Sequence, residues 1–309
     1  MRVLFWGTPE FATPPLRALL GEGFDVAGVV TQPDKPVGRS RSTVQPPPVK
    51  EVAAADGIPV LQPERLDAEF EAQLRALEPD ISIVVAYGHM LPQAIIDLPP
   101  RGTLNIHASL LPKYRGAAPI QAALRDGVRE TGVSIMRMVR RMDAGPVILQ
   151  IPMEVNADET YGELSMRMSE LGAAAVIEAL ALIEAGKAEE KAQDDSLATY
   201  APKIEREHTR IDWTVPASSV ARAVRSFDPR PGAFASFAGQ EVKFFGSRVV
   251  DAPQDASPGT IVGASADGLT VACGQGAVRL LQVQPSGKRI MGADEWARGK
   301  RVAAGARFD

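Results

Sequence analysis

Apolar runs of strand length alternate with helical patterns at the start of the chain, and this alternation limits the possible folds more than any other feature. Residues 2–6 form a β-biased run, followed by Gly7 and by Thr8-Pro9-Glu10, which provides an N-cap, a proline at the first helical position and an early acid. A second apolar run follows at residues 26–31. This order predicts a βαβ unit, the building block of parallel sheets.

The same alternation continues along the first two thirds of the chain. Strand-like runs recur at residues 81–86 and 102–106, with a helical pattern near 68–77 before them. Residues 161–183 then carry apolar side chains at helical spacing, as expected of a long amphipathic helix that closes a domain. We therefore predict an α/β fold whose N-terminal domain is Rossmann-like, with a mostly parallel sheet.

The last third of the chain has a different pattern. Short β-like runs separated by glycines, prolines and acids predict a smaller OB-like β-barrel. With 309 residues, the chain is also longer than one hydrophobic core usually supports. We predict a first domain at residues 1–189, a polar linker at 190–206 and a second domain at 207–309.

Composition and charge narrow the classes of partner. The net charge is -4, but residues 206–309 hold 14 Lys and Arg against 10 Asp and Glu, so the C-terminal part permits a polyanionic partner. The chain has no apolar run near the roughly 20 residues that a membrane span needs, and we expect no export signal. Its one cysteine, Cys273, fits a reducing compartment. We expect a cytoplasmic protein without a membrane partner.

Nucleotide-binding loops do not occur where this fold would place them. The first turn, Gly7-Thr8-Pro9-Glu10-Phe11-Ala12, has one glycine where a dinucleotide fingerprint needs three, and its glutamate lies near the expected pyrophosphate position. A phosphate-binding loop of the G-x-x-x-x-G-K-[ST] type is also missing from the sequence. Binding of NAD or of a nucleoside triphosphate is therefore not expected.

A long connection between the second strand and the next helix is the most basic part of the first domain. Residues 34–50 contain one acid, Asp34, and the cations Lys35, Arg39, Arg41 and Lys50. Loops of this length in βα connections are usually functional or disordered. The loop is therefore either a phosphate-contacting segment or a solvated mobile insert.

Polar side chains converge near the end of the strand at residues 102–106. Asn105 and His107 are two residues apart and project to the same side, where open α/β sheets bind ligands. His107 could act as an acid or base, Asn105 could donate to an oxyanion, and Asp143 could orient or charge the imidazole. The alternative is a structural histidine whose nitrogens are bonded to the backbone.

Other chemistries lack their sequence patterns. His89, His107 and His208 are far apart and Cys273 is alone, so no metal is expected. Ser109 is not part of a G-x-S-x-G elbow, which argues against a serine nucleophile. What remains is acid/base and electrostatic chemistry on a carbonyl group, without a covalent intermediate.

Longer motifs around these residues resemble a known family. The signature of the 10-formyltetrahydrofolate-dependent formyltransferases is similar to residues 105–112, 114–120 and 142–146. Further segments, in the same order along nearly the whole chain, resemble the methionyl-tRNA formyltransferases within that family: Gly7-Thr8-Pro9-Glu10-Phe11-Ala12, Gln32-Pro33-Asp34-Lys35-Pro36, Tyr200-Ala201-Pro202-Lys203-Ile204, Ile211-Asp212-Trp213 and Pro231-Gly232-Ala233.

The resemblance implies a reaction and its participants. The amine of initiator methionyl-tRNA would attack the formyl carbon of 10-formyltetrahydrofolate, the co-substrate, while Asn105 and a protonated His107 stabilise the oxyanion and Asp143 keeps the histidine charged. It also implies that the loop at residues 34–50 and the C-terminal barrel contact the tRNA. We expect the protein to be a monomer. The folate pocket would be lined by Ser109, Leu110, Leu111 and Pro112.

Two other functions are compatible with parts of this pattern. The same catalytic domain could formylate a small amine, such as glycinamide ribotide or an amino sugar. A catalytically silent tRNA-binding protein is the other alternative. The basic loop and the second domain favour a tRNA substrate over a small amine, and the intact Asn105, His107 and Asp143 favour an enzyme.

Overall fold

The computed structural model describes residues 1–37, 43–251 and 256–309. The chain divides into two compact units, which are described separately below. The first unit comprises Met1–Gly116, Glu130–Met153 and Ser165–Tyr200, and the second comprises Ala117–Arg129, Glu154–Leu164 and Ala201–Asp309. The chain therefore passes between the units several times, and the linear domain boundaries given above stay a prediction.

The first unit is built on a sheet of seven strands. Their bounds are β1 Arg2–Gly7, β2 Asp25–Val30, β5 Val60–Leu61, β6 Ile81–Val85, β7 Thr103–His107, β8 Glu130–Arg137 and β9 Val147–Glu154. The order across the sheet is β5-β2-β1-β6-β7-β8-β9. All pairs from β5 to β7 are parallel, and β8 is antiparallel to β7. The predicted Rossmann-like, mostly parallel sheet is confirmed.

The burial of these strands explains why apolar runs in the sequence predicted them. Every residue of β6 is buried, and so are the last five residues of β1, including Trp6. A parallel sheet in an α/β protein is covered on both faces, so its strands carry continuous apolar runs instead of alternating ones. The side chains of Leu4, Val84 and Tyr87 belong to one apolar cluster with Trp6.

The helices begin at sequence signals that are local. The helix bounds are α1 Thr13–Gly21, α2 Pro48–Ala55, α3 Ala68–Ala76, α4 Gln93–Ile96, α5 Pro119–Asp126, α6 Tyr161–Glu184, α7 Ala217–Ser226 and α8 Ala293–Lys300. Helix α3 begins after Asp67, whose carboxylate accepts a hydrogen bond from the Phe70 backbone N–H at 3.0 Å. The long helix predicted at residues 161–183 is confirmed as α6. Within the described ranges, no helix is long and apolar enough to cross a membrane.

The long basic connection of the first unit contains a small hairpin. Strands β3 (Lys35–Val37) and β4 (Thr43–Gln45) pair antiparallel, with Lys35 opposite Gln45. The sequence predicted a long loop here without strands, so the two short strands are a correction. The segment between these two strands lies outside the described residues.

The second unit contains an antiparallel sheet. Its strands are β10 Ala233–Phe237, β11 Gln240–Val250, β12 Ile261–Ser265, β13 Gly268–Ala272, β14 Ala277–Pro285 and β15 Met291–Gly292. They lie in the order β10-β11-β14-β13-β12, and β15 pairs with β14. The predicted antiparallel sheet is confirmed, and its closure into an OB-like barrel stays a prediction.

Aromatic side chains form the centre of the second unit's core. The ring of Phe308 lies 5.6 Å from that of Trp213 and 5.2 Å from that of Phe244, measured between centroids. Helix α7 adds the buried residues Val220 and Val224 to the same core. Edge-to-face and stacked pairs of this kind contribute about 0.5–1.5 kcal/mol each beyond the area that they bury.

Candidate functional site

Strand β7 presents two polar side chains at its C-terminal end. Asn105 lies between Val84 of β6 and Met136 of β8, and His107 lies opposite Ser134 of β8. Residues two apart on a strand point to the same face, so the two predicted site residues share one side of the sheet. His107 is 5% exposed and Asn105 is half-buried, which places a polar pair in a largely apolar sheet.

The imidazole of His107 faces an oxygen at each ring nitrogen. Its Nδ1 atom is 3.7 Å from Oδ2 of Asp143, an ion-pair distance, and its Nε2 atom is 3.0 Å from the Tyr114 carbonyl oxygen. A carbonyl oxygen can only accept, so the Nε2 atom carries a hydrogen. The structure thus brings His107 and Asp143 together and fixes the orientation of the imidazole ring.

The carboxylate of Asp143 joins two loops of the first unit. Oδ2 accepts a hydrogen bond from the Gly116 backbone N–H at 2.7 Å, in addition to facing His107. Asp143 has a φ of +47°, in the left-handed region that is uncommon for a side-chain-bearing residue. Two residues later, Gly145 lies so close to β8 that a Cβ atom would overlap the Arg137 carbonyl oxygen. The loop is therefore pressed against the sheet.

The predicted folate-lining segment follows β7 as a compact turn. Ser109 is fully buried, and its hydroxyl donates to the Lys113 carbonyl oxygen at 2.6 Å. Leu111 is 5% exposed and packs in an apolar cluster. Leu110 and Pro112 are half-buried. Leu110 and Pro112 therefore keep part of their surface accessible to a ligand, and the contact with folate stays a prediction.

Two side chains that the sequence did not single out, Ser134 and Gln150, form hydrogen bonds with this turn. Ser134 Oγ donates to the Ser109 carbonyl oxygen at 2.6 Å and accepts from the Leu111 N–H at 3.0 Å. Gln150 Nε2 donates to the Leu111 carbonyl oxygen at 2.8 Å and to Ser134 Oγ at 2.9 Å. The turn is therefore fixed by a closed set of hydrogen bonds to β8 and β9.

Residues 191–200, all of which fall in the predicted linker, also contact the site loops. Gln193 Nε2 donates to the main-chain carbonyl oxygens of Asp143, at 2.9 Å, and Gly145, at 2.7 Å. Its Oε1 atom accepts from the Arg115 guanidinium at 2.7 Å. Sequence reasoning missed these residues, because a polar stretch with no apolar period is typical of a linker.

An ion pair anchors the outer end of this contact. Arg115 is 1% exposed, and its Nη2 atom is 2.9 Å from Oδ1 of Asp195. Asp195 also pairs with Arg141. Hydrogen bonds from Arg141 and from Arg115 hold the pKa of the Asp195 carboxyl below its ordinary value. Asp195 is therefore ionised near neutral pH and neutralises the buried guanidinium.

The residues predicted to contact tRNA differ in their surroundings. Lys35 is exposed on β3. The Lys50 ammonium is 2.8 Å and 2.9 Å from the two carboxylate oxygens of Asp34 and 2.8 Å from Gln62 Oε1. Hydrogen bonds from Gln62 and Lys50 lower the pKa of Asp34, so the charge of Lys50 is already paired. The predicted contacts Arg39 and Arg41 lie outside the described residues.

Metal ligands are not grouped in the described ranges: no set of three or more His, Cys, Asp or Glu side chains there could hold an ion. The site described here is instead an amide, an imidazole and a carboxylate beside a rigid turn. Such groups can stabilise negative charge on a carbonyl oxygen and move protons.

Comparison with protein families identifies the family to which this chain belongs. The family model described as formyl transferase matches residues 1–180, and the model of the formyl transferase C-terminal domain matches residues 203–301. The chain belongs to the formyl transferase family. The family resemblance inferred from motifs in the sequence is confirmed, and the site lies within the region matched by the first model.

Curated members of the family are similar along nearly the whole chain. Methionyl-tRNA formyltransferase of Pseudomonas fluorescens (strain SBW25) is 47% identical over 296 residues, which cover 95% of this chain and 92% of the relative. Methionyl-tRNA formyltransferase of Methylococcus capsulatus is 46% identical over 304 residues, covering 98% of each chain.

Solved structures of low sequence identity share the fold. HypX from Aquifex aeolicus, crystallised in complex with tetrahydrofolic acid, has a TM-score of 0.68 and 19% identity, covering 98% of this chain and 48% of that one. Methionyl-tRNA formyltransferase from Clostridium thermocellum has a TM-score of 0.59 and 14% identity, covering 81% of this chain and 94% of that one. Both comparisons support the fold, and the chemistry has to be argued from the residues of the site.

The Ser134 hydroxyl gives a test of how firmly the turn is held. Ser134→Ala should lower the local unfolding free energy of the turn and β8 by about 1–3 kcal/mol, because the Ser109 carbonyl and Leu111 N–H lose their partner. Ser82→Ala on β6 is the matched control, since that buried hydroxyl has no hydrogen-bond partner within the described residues. It should be neutral. Native-state amide exchange measures both changes, and equal effects would contradict this interpretation.

Proposed function

We propose that this protein transfers the formyl group of 10-formyltetrahydrofolate to the amino group of initiator methionyl-tRNA, giving the N-formylmethionyl-tRNA that starts translation. The observation that carries the proposal is the grouping of Asn105, His107 and Asp143 in a chain of this family. Curated relatives that carry the name methionyl-tRNA formyltransferase align with almost the whole chain, including the second unit, which supports a tRNA substrate over a small amine.

The first role of these residues is to stabilise negative charge. As the amine attacks, charge develops on the formyl oxygen, and the Asn105 amide and the His107 imidazolium provide hydrogen-bond donors for it. Donors fixed in advance at such a position typically contribute a factor of roughly 10²–10³ in rate each. The Asp143 carboxylate attracts the imidazolium charge and so keeps the second donor available.

The second role is to take up a proton. The amino group of the methionyl residue must lose a proton when its nitrogen bonds to the formyl carbon. The bond between that carbon and N10 of the folate then breaks, and N10 gains a proton as tetrahydrofolate leaves. Asp143 is the carboxylate of the site, and its side chain is 15% exposed, so water reaches it. We assign proton acceptance to Asp143 through a water molecule, with His107 as its charged partner.

The turn after β7 fits a folate carrier. When bound, 10-formyltetrahydrofolate supplies the formyl group. Leu110 and Pro112 offer half-buried apolar surface, while the buried Ser109 and Leu111 keep the backbone of the turn in place. We therefore assign all four residues to the folate pocket, the first pair by contact and the second pair by shaping the turn.

The tRNA contacts are assigned to the basic loop and the second unit. In the loop, we assign the contacts with tRNA phosphates to Lys35, Arg39 and Arg41. The charge of Lys50 is already paired with Asp34. The excess of cations in residues 206–309 gives the second unit the sign of charge that a phosphate backbone requires. We expect the protein to act as a monomer in the cytoplasm.

A direct assay separates the proposed function from its alternatives. The protein is incubated with 10-formyltetrahydrofolate and one amine at a time: initiator methionyl-tRNA, glycinamide ribotide or an amino sugar nucleotide. Formylation of the methionyl-tRNA alone is expected. Formylation of a small amine instead would identify the other class of formyltransferase, and tRNA binding without any formylation would identify a silent binding protein.

Removing the imidazole tests its catalytic role. His107→Ala should lower kcat by roughly 10² or more, since both an oxyanion donor and the charged partner of Asp143 are lost. The Kd for methionyl-tRNA, measured by filter binding, should stay within about threefold. His208→Ala, which removes an exposed histidine of the second unit, should leave turnover unchanged. Retained turnover in His107→Ala would remove this residue from the mechanism.

Salt dependence tests the basic loop. Replacing Arg39 and Arg41 together with alanine should weaken tRNA binding and reduce the slope of log K against log salt by about 1–2, because phosphate contacts release counterions. The control is Arg17→Ala with Arg75→Ala, which removes the same charge from α1 and α3. Equal slopes for both double variants would indicate a general charge effect and a solvated loop.

A further inference from the structure

We propose that Gln193 is a positioning residue for the reaction, which holds the Asp143 loop in the geometry that the site needs. This inference rests on the proposed function for its kinetic consequences, and on the structure alone for its physical basis. Gln193 lies 50 residues after Asp143 in a polar segment that looks like a connection in the sequence. Its role follows from what its amide group contacts.

The side-chain amide of Gln193 uses its donors and its acceptor at once. Nε2 donates to the carbonyl oxygens of Asp143 and Gly145, at 2.9 Å and 2.7 Å, and Oε1 accepts from Nε and Nη2 of Arg115, at 3.1 Å and 2.7 Å. A carboxylate at this position could meet the guanidinium but could not donate to the two carbonyls. An amide on a shorter side chain would not span the same gap.

The segment around Gln193 is fixed on both sides, so the amide is held in place before any substrate binds. On one side, Lys191 exchanges two backbone hydrogen bonds with Val147, at 2.8 Å and 2.9 Å. On the other, the Arg115 N–H donates to the Thr199 carbonyl oxygen at 2.9 Å. The segment thus ties together the loop before α5 and the loop between β8 and β9.

Asp143 needs such a support because its backbone conformation is unfavourable by itself. A φ of +47° is disfavoured for a residue with a Cβ atom, and it persists where surrounding contacts enforce it. Gln193 binds the main-chain carbonyl of this residue and that of the residue two positions later. Loss of both bonds would let the loop relax and move the carboxylate away from Gly116 and His107. A displacement of 1 Å in a catalytic group can cost roughly a hundredfold in rate.

Two substitutions separate the loop contact from other effects. Gln193→Glu keeps the pairing with Arg115 and loses the donation to the loop. Gln193→Met has a similar length, loses all polar contacts and adds no charge, while Arg115 retains Asp195. A result that both variants share reports the lost donation. Glu190→Gln is the control. Glu190 lies three residues before Gln193 and pairs with Arg137 at the surface, and glutamine has nearly the same shape as the glutamate that it replaces.

The kinetic expectation concerns kcat. Both Gln193 variants should lower kcat for methionyl-tRNA formylation by roughly 10- to 100-fold, with the KM of either substrate within about threefold, and the control should match the unmodified protein. In an Asp143→Ala background, Gln193→Met should cause no further loss, because residues that act as one unit are not additive. Full additivity, or an unchanged kcat, would overturn the proposal.

An exchange measurement tests the same contact without any reaction. The Gly116 amide is protected by its hydrogen bond to Asp143 Oδ2, so it reports the position of that carboxylate. Its exchange, measured by NMR, should be at least about tenfold faster in both Gln193 variants, while amides of β6 keep their rates. Unchanged Gly116 exchange would overturn the positioning role even if methionyl-tRNA is the substrate. Inactivity of the unmodified protein would reject only the proposed function.

Discussion

A single carboxylate oxygen, Oδ2 of Asp143, is the point on which the site of the first unit depends. It accepts the Gly116 N–H at 2.7 Å and faces the His107 imidazole at 3.7 Å, so it connects the end of β7 with the loop that follows this strand. The backbone that carries this carboxylate has a left-handed conformation at Asp143, which persists only where surrounding contacts enforce it. The amide of Gln193 binds the Asp143 carbonyl oxygen, and Gly145, two residues after Asp143, lets the loop lie close to β8.

Much of the scaffold could be predicted because its signals are local. Buried parallel strands such as β1 and β6 consist of continuous apolar residues, and the helix starts carry prolines or an N-cap such as Asp67. The same-side projection of Asn105 and His107 follows from the two-residue period of a strand. The position of Asp143 in space did not follow from any period. The residue was a candidate partner of the imidazole because of its chemistry, and the family motifs around it strengthened that assignment.

The supporting residues could not be predicted, because their partners are far away in the sequence. Ser134 contacts a residue 25 positions earlier, Gln150 one 39 earlier and Gln193 one 50 earlier. Ser134 lies in an apolar strand where a serine is unremarkable, and Gln193 lies in a stretch whose composition is that of a connection. Side-chain hydrogen bonds across such separations depend on the folded backbone and leave no periodic pattern. In the basic loop, the pairing of Lys50 with Asp34 and Gln62 was hidden for the same reason.

The separation between Asp143 and Gln193 also sets an order of events during translation of the protein itself. The ribosome adds roughly 5–20 residues per second, so the fifty residues between them take on the order of 3–10 seconds to synthesise. Through that interval the nascent chain contains every strand from β1 to β8 and both site loops, but not the amide that binds the second loop. The residues of these strands are therefore synthesised before the site can be complete, and completion waits for a segment that adds no strand to that sheet.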